Sequence, residues 1–372
     1  MTETVLCVDI GTTSLKAGLI SAAGEVVSFS SNKFGNPEDR FIAGFWGRSL
    51  KTALLEIQKN IKDADIKISA ISISGNGPTV VSMSEMTVRW NEQIDLSNFG
   101  INKADLGHSL FLPKILLFKS LFSKEFEQSQ YIFSGSEYLI YKLTSQAVTV
   151  LPEKRFEAAY WNQAQLLSFG IEPSKLPPFV GIGEVCGYLT GEMADFFKLP
   201  AGIPVTSGGP DFVAALIGTK TLQPGRIVDR CGSSEGFNYC IPEFIVADGV
   251  RSLPSAIEGL WNASVLLPNS SKLLEKERLD FAKNAVQTLK GLSQKYKIDF
   301  PNQIIVTGGQ AKDRQLMQDK ARALGIKLVA CQCSDAELLG DACAAFVALG
   351  QYAGLQEAAE KIVREETTYD YL

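Results

Sequence analysis

The segment VDIGTTSLK, residues 8–16, sets a carboxylate, Asp9, directly before a turn of Gly11, Thr12 and Thr13, with Lys16 close behind. Backbone N–H groups and hydroxyls in a tight turn, with a lysine nearby, suit phosphate. Asp9 would repel a bare phosphate, and more strongly as water is excluded. A divalent cation between them reverses the sign, because Mg2+ is typically shared by one or two carboxylates and phosphate oxygens. Together these features point to Mg–ATP, with Asp9 toward the metal and Gly11, Thr12, Thr13 and Lys16 toward the phosphates. The alternative for Asp9 is a strand-end turn former that bonds local amides.

A second turn of the same type occurs at Gly232-Ser233-Ser234, in GRIVDRCGSSEGFNYC. Neither turn belongs to a Walker A loop, and no GxGxxG follows a strand. Either turn alone is compatible with a plain hairpin. Each is followed in the same order by a strand that runs into glycine, Gly75 in the first half and Gly308 in the second. A matched pair in matched order predicts two related lobes that clamp a polyphosphate from both sides. Gly308, Gly309 and Gln310, in VTGGQAKDRQ, would let the backbone approach a flat adenine ring, although Gly-Gly after a strand is also ordinary turn chemistry. Asp211, in TSGGPDFVAAL, lies between the two candidate clamps. A helix-terminal aspartate is the plain reading, and a general base for a substrate hydroxyl is the functional one.

Composition narrows the chemistry. The chain has 372 residues and a single histidine, His108, so a multi-histidine metal site is excluded and a Ser–His–Asp triad has one candidate without a nucleophile elbow. Any base is therefore expected to be a carboxylate. A net charge of −5 offers no electrostatic footprint for nucleic acid. No apolar run reaches membrane-spanning length, and the start, MTETVLCVDIG, enters a strand without a basic leader. Seven cysteines, none in CxxC spacing, suit a reducing cytoplasm, and Cys331 and Cys333 read as strand residues.

These residues need elements to hold them. Residues 4–10 and 15–20 read as strands of a hairpin, 68–75 as a β-branched strand, and 46–60 as a helix by apolar spacing. Residues 90–108 read as a loop, and 112–122 and 134–144 as helical. The Pro- and Gly-rich stretch 172–210 suggests a lobe boundary, which gives an N-terminal lobe of 1–202 and a C-terminal lobe of 203–372. Strand, glycine turn and helix recur at 203–218 and at 303–325, and 335–350 reads as a small-residue helix.

In these segments the chain resembles the FGGY carbohydrate kinases of the actin-like ATPase superfamily. VDIGTTSLKAGLISAAGEVV resembles the first phosphate motif, and ISAISISGNGPTVV the strand and turn that open the sugar pocket. GIPVTSGGPDFVAALIGT resembles the segment with the catalytic aspartate, GRIVDRCGSSEGF the second phosphate motif, and VTGGQAKDRQLMQDKARALGIKLV with SDAELLGDACAAFVALG the adenosine end. The resemblance implies an α/β fold of two duplicated, ribonuclease H-like lobes around a cleft. It implies ATP-dependent phosphorylation of a small sugar, ketose or polyol, with Asp211 as base and Mg2+ at Asp9. Phosphates would lie at Thr12, Thr13 and Gly232 to Ser234, the nucleoside at Gly308 to Gln310, and the sugar at Asn76, Gly77, Pro78 and Asp211. A cytoplasmic enzyme is expected, either alone or as a homodimer. An actin-like nucleotide-binding scaffold is the alternative. On the sugar side the tryptophan–aspartate–arginine pattern survives only as a vestige in VRWNEQIDL.

Overall fold

The computed structural model describes residues 2–61, 65–94, 101, 103–232, 234–268 and 270–372. One sheet contains β1 (Thr2–Ile10), β2 (Ser14–Ser21), β3 (Val26–Lys33), β4 (Ile66–Gly75), β5 (Gly187–Tyr188) and β6 (Pro204–Pro210), in the order β5-β6-β4-β1-β2-β3. The other contains β7 (Ile227–Cys231), β8 (Glu235–Ile241), β9 (Arg251–Pro254), β10 (Trp261–Leu267), β11 (Gln303–Thr307), β12 (Lys327–Cys331) and β13 (Glu365–Tyr369), in the order β9-β10-β8-β7-β11-β12-β13. The duplication extends to strand direction. In the first sheet β6, β4 and β1 are parallel, with antiparallel neighbours β5 on one side and β2 and β3 on the other. In the second, β12, β11 and β7 are parallel, flanked by antiparallel β13 and by β8 and β10. Strand β9 is an extra edge.

The helices that position the site are α1 (Ala43–Asn60), α2 (Asp211–Ile217), α3 (Glu275–Tyr296), α4 (Arg314–Leu324) and α5 (Ala336–Ala348). Helix α1 buries Trp46, Leu50, Ala53, Leu54 and Ile57, the single stripe its spacing predicts, against the first sheet. Helices α3 and α4 cover one face of the second sheet. Apart from Glu337 and Asp341, helix α5 is apolar or small on every side, and such a helix must be buried all round. It lies between α2 and the first sheet, and every residue from Ala336 to Phe346 is buried. Two glycines permit that approach. A Cβ at Gly340 would come within 1.9 Å of the Ala214 carbonyl oxygen, and one at Gly218 within 1.9 Å of that of Ala336. Asp341 of α5, fully buried, accepts from the Ser74 hydroxyl at 2.9 Å and the Gly208 N–H at 3.1 Å, and so ties α5 to β4 and β6.

Three expectations need correction. The division at 202/203 falls inside the first sheet, because β6 hydrogen-bonds to β4 and completes that sheet through Pro210. The Pro and Gly residues before it mark turns within a lobe, and α5 crosses back from the second half to pack on β1, β4 and β6. The helix expected from 134 begins at Glu137, because Ile132–Ser134 forms a short strand in a small side sheet. Within the expected loop 90–108 a short 3-10 turn spans Lys103–Leu106, while residues 95–100 and 102 lie outside the described residues. His108 is exposed, and the seven cysteines are buried free thiols. Cys331 ends β12, whereas Cys333 lies beyond it, outside any regular element. Among the described residues no helix is long and apolar enough to cross a membrane.

Candidate active site

Both hairpin turns open onto one cleft of about 810 Å3, a volume suited to a sizeable organic ligand. Asp9, Gly11, Thr12, Thr13 and Lys16 line it from the first lobe, with Asn76, Gly77 and Pro78 at the end of β4. Asp211 enters at the start of α2, Gly232 and Ser234 at the β7–β8 turn, and Gly308, Gly309 and Gln310 after β11. Every described candidate from the sequence thus faces the same space, and Ser233 lies outside the described residues. The common cause is topological. Each segment follows the carboxyl end of one of the strands β1, β4, β6, β7 and β11, where ligands gather in open α/β sheets.

The turns differ in one detail from a simple nest. The Gly11 N–H donates to the Ser14 carbonyl at 2.9 Å and the Gly232 N–H to that of Ser234 at 3.0 Å, so these two donors close the hairpins. The Thr12 hydroxyl accepts from the Trp90 indole N–H at 3.1 Å, which leaves its own proton for a ligand. Gln310 donates to the Gly232 carbonyl at 2.9 Å and accepts from Arg278 at 2.7 Å, fastening the second turn to the segment after β11. Gly308 has φ +98°, and a Cβ there would lie 2.7 Å from the Cys231 carbonyl oxygen, so glycine is required for this contact. Gly309 faces open space.

Charge is arranged in two matched bridges. Lys16 Nζ lies 3.3 Å from Asp9 and 3.0 Å from Asp335. Arg230 lies 3.6 Å from Asp211 and 3.3 Å from Glu337. Asp335 and Glu337 stand at the start of α5, so one helix end engages a cation from each lobe. Burial pushes the Asp9 carboxyl up to about 7, with Lys16 pulling it down and Glu337 and Asp211 adding to the rise. Burial likewise raises Asp211, against the opposing pull of Arg230. Burial opposes the charge on Lys16, but Asp9, Glu337 and Asp335 outweigh it and hold the amine protonated.

Asp9 Oδ2 accepts from Lys16, while Oδ1 is buried without a hydrogen-bond partner among the described residues. An orphaned carboxylate oxygen facing a phosphate turn fits an oxygen-seeking divalent cation that arrives with a polyphosphate. Among the described residues no cluster of three or more metal-binding side chains exists, so such an ion would be shared with its ligand.

Several residues of the cleft escaped the sequence reading. Arg230 and Glu337 stand in segments singled out for their neighbours, and a lone arginine in the strand IVDRC was the available signal. Trp90, Phe111, Phe156, Tyr160 and Phe212 wall the side nearest Asp211 and Asn76. Phe111 stacks on Tyr160 with ring centroids 4.4 Å apart, a pairing across 49 positions that local periodicity cannot reveal. Trp46 is a core residue in edge contact with Tyr138.

Paired sheets of this topology around one cleft define the two-lobed actin-like ATPase fold. The sequence profile "FGGY family of carbohydrate kinases, N-terminal domain" matches residues 84–218, and the C-terminal domain profile matches residues 282–349. The chain belongs to the FGGY family of carbohydrate kinases. It is 22% identical over 294 residues to a xylulose kinase of Lactococcus lactis, an alignment covering 66% of this chain and 58% of that protein. The chain thus spans less than two thirds of the length of that curated relative. Among solved structures it resembles a ligand-bound xylulose kinase from Lactobacillus acidophilus, with TM-score 0.78, 16% identity and coverage of 99% of this chain and 94% of the other. It is also similar to a gluconate kinase from Lactobacillus acidophilus, with TM-score 0.79, 16% identity and coverage of 100% and 94%.

Proposed function

We propose that the protein transfers the γ-phosphoryl group of ATP to a hydroxyl of a small sugar, ketose or polyol. The observation that carries this reading is the convergence of two hydroxyl-bearing turns, a Gly-Gly segment and Asp211 on one cleft. Relatives named as xylulose and gluconate kinases support a polyhydroxylated acceptor. In this reading the phosphates lie between the Thr12–Thr13 and Gly232–Ser234 turns, and the nucleoside lies against Gly308 to Gln310. Asn76 to Pro78 and Asp211 hold the acceptor. Mg2+ bound with ATP would be held by Asp9 and would neutralise phosphate charge.

The chain's own residues then have separable tasks. Phosphoryl transfer demands positioning and charge stabilisation more than covalent chemistry. Asp211 Oδ1 accepts the Phe212 N–H at 2.6 Å, which fixes the carboxylate's rotation. Its remaining lone pairs accept the acceptor proton as the new O–P bond forms and the bond from Pγ to the bridging oxygen breaks, releasing ADP. Arg230 sits beside that carboxylate and can offset charge on the phosphoryl oxygens as they pass. Closure of the cleft would exclude water and suppress ATP hydrolysis.

The test is Asp211→Asn, assayed with the best acceptor from a coupled ADP-release screen of pentuloses, hexuloses, pentitols, sugar acids and glycerol. Asparagine keeps the shape but cannot take the proton. The expected result is kcat lowered by roughly 10²–10⁴-fold, with ATP affinity and melting temperature close to wild type. Turnover within a few-fold of wild type would falsify the base assignment.

A further inference from the structure

The acceptor half of the cleft is unusual in its polarity. Trp90, Phe111, Phe156, Tyr160 and Phe212 supply apolar faces that suit the C–H surface of a carbon chain. Polar groups for a row of hydroxyls are few. The amide of Asn238 is committed within the sheet, donating to the Gly236 carbonyl at 2.9 Å and accepting from Ser264 at 2.7 Å. Against this background Arg251 also lines the cleft. Its guanidinium lies 6.0 Å from the centre of the Phe212 ring, one residue from Asp211. Among the described residues no hydrogen bond or ion pair engages it, whereas Lys16 and Arg230 each bridge two carboxylates.

Strand register places Arg251 away from the phosphate turn. Arg251 stands opposite Ser264, Ser264 stands opposite Asn238, and Asn238 is four residues beyond Ser234. Between backbones that is roughly 10 Å across the sheet and roughly 13 Å along it, so the strand that carries Arg251 stands apart from the turn assigned to the phosphates. The charged neighbours of Arg251 are instead Arg230 and Asp211. An anion bound here would belong to the far end of the molecule whose hydroxyl meets Asp211.

Resting on the kinase reading above, we infer that the acceptor is an anionic polyol, a sugar acid whose carboxylate pairs with Arg251 while its terminal hydroxyl faces Asp211. Guanidinium and carboxylate match in a two-pronged, charge-assisted hydrogen bond, which would distinguish the acid from a neutral polyol of the same carbon skeleton.

The experiment compares matched acceptors, gluconate against glucitol and xylonate against xylitol, by ADP release at constant ionic strength. Wild type, Arg251→Met and Arg251→Lys are assayed, and each acceptor is also titrated by calorimetry into the ADP-saturated protein. The expected result is a wild-type kcat/KM at least roughly 10-fold higher for the acid than for its neutral partner. Arg251→Met loses roughly 10²-fold on the acid, Arg251→Lys loses less, and neither changes KM for ATP. Equal or better use of the neutral partner by wild type overturns the inference, as does an Arg251→Met defect common to acid and neutral acceptors or confined to ATP. If nucleotide binds but no acceptor releases ADP, the kinase reading fails first. Calorimetry then decides the anion site by itself: Arg251-dependent binding of the acid supports it, and its absence removes it.

Discussion

At the scale of single residues, Asp9 and Arg230 show how burial sets chemistry. Asp9 has its carboxyl pushed up to about 7 by burial. As pH falls through 7 the carboxylate is neutralised and can no longer hold a cation. The expected outcome is a kcat/KM for ATP that falls about tenfold per pH unit below about 7, and Asp9→Asn should abolish this limb along with most of the Mg2+-dependent affinity measured by calorimetry. The stability sign is opposite. A carboxyl whose folded pKa is raised binds more protons folded than unfolded, so it costs stability as pH rises from the ordinary carboxylate range toward 7. Asp9→Asn should therefore melt at or above the wild-type temperature at pH 8 while failing to use ATP, and a stability loss equal to the activity loss would make Asp9 merely structural. Arg230 opposes the rise that burial imposes on Asp211. The charges facing Asp211 include Glu337 on α5 and Lys16 on β2 as well. With Arg230→Met the rise loses its main opponent and grows, so the acid limb of kcat should move to higher pH and kcat should drop by roughly 10–10³-fold. An unmoved limb would detach Arg230 from the base.

At the scale of elements, the crossing of α2 and α5 is the most constrained contact in the fold. Gly340 faces the Ala214 carbonyl with no room for a methyl group, and backbone lies on both sides, so neither partner can turn aside. Gly340→Ala should destabilise by about 1–3 kcal/mol or more in urea titrations, and because α5 carries Asp335 and Glu337, ATP affinity should fall as well. Gly47, inside α1, is the control, since a methyl group added there would meet nothing within 4 Å. Gly47→Ala should gain up to about 1 kcal/mol through helix propensity alone. Similar effects at the two sites would mean that the helix crossing yields more readily than its geometry implies. These elements were largely legible in advance. The hairpin of β1 and β2, the stripe of α1 and the small-residue run of α5 are local patterns, and local sterics and burial enforce them. Strand β3 and the short strand at Ile132–Ser134 were not legible, because each depends on a partner strand and lacks a strong pattern of its own.

At the scale of the whole molecule, two sheets of equivalent topology contribute one turn each to a shared cleft, so binding should draw the lobes together. The expected outcome is a measurable decrease in radius of gyration by small-angle scattering when a turned-over acceptor and a non-hydrolysable ATP analogue are both present. Nucleotide alone should produce less. If a verified substrate leaves the scattering curve unchanged, the two turns do not act as a closing clamp.

Residue types and spacing alone were enough to pair the two turns, to exclude a multi-histidine metal site and to single out Asp9, Asp211 and the Gly308–Gln310 segment. Each of those features is a short motif whose backbone needs are written in adjacent residues. Which lobe β6 joins, where α5 lies and what surrounds Asp211 were decided only in three dimensions. Strand pairing between residues 66–75 and 204–210 carries β6 into the first sheet across the apparent boundary. The bridges of Lys16 to Asp335 and Arg230 to Glu337 join residues more than a hundred positions apart. The bridging charges, the aromatic wall of the acceptor side and Arg251, unpaired among the described residues, acquire meaning only once the chain has brought them to one cleft, because the effect of a charge depends on its surroundings and on which partners meet it.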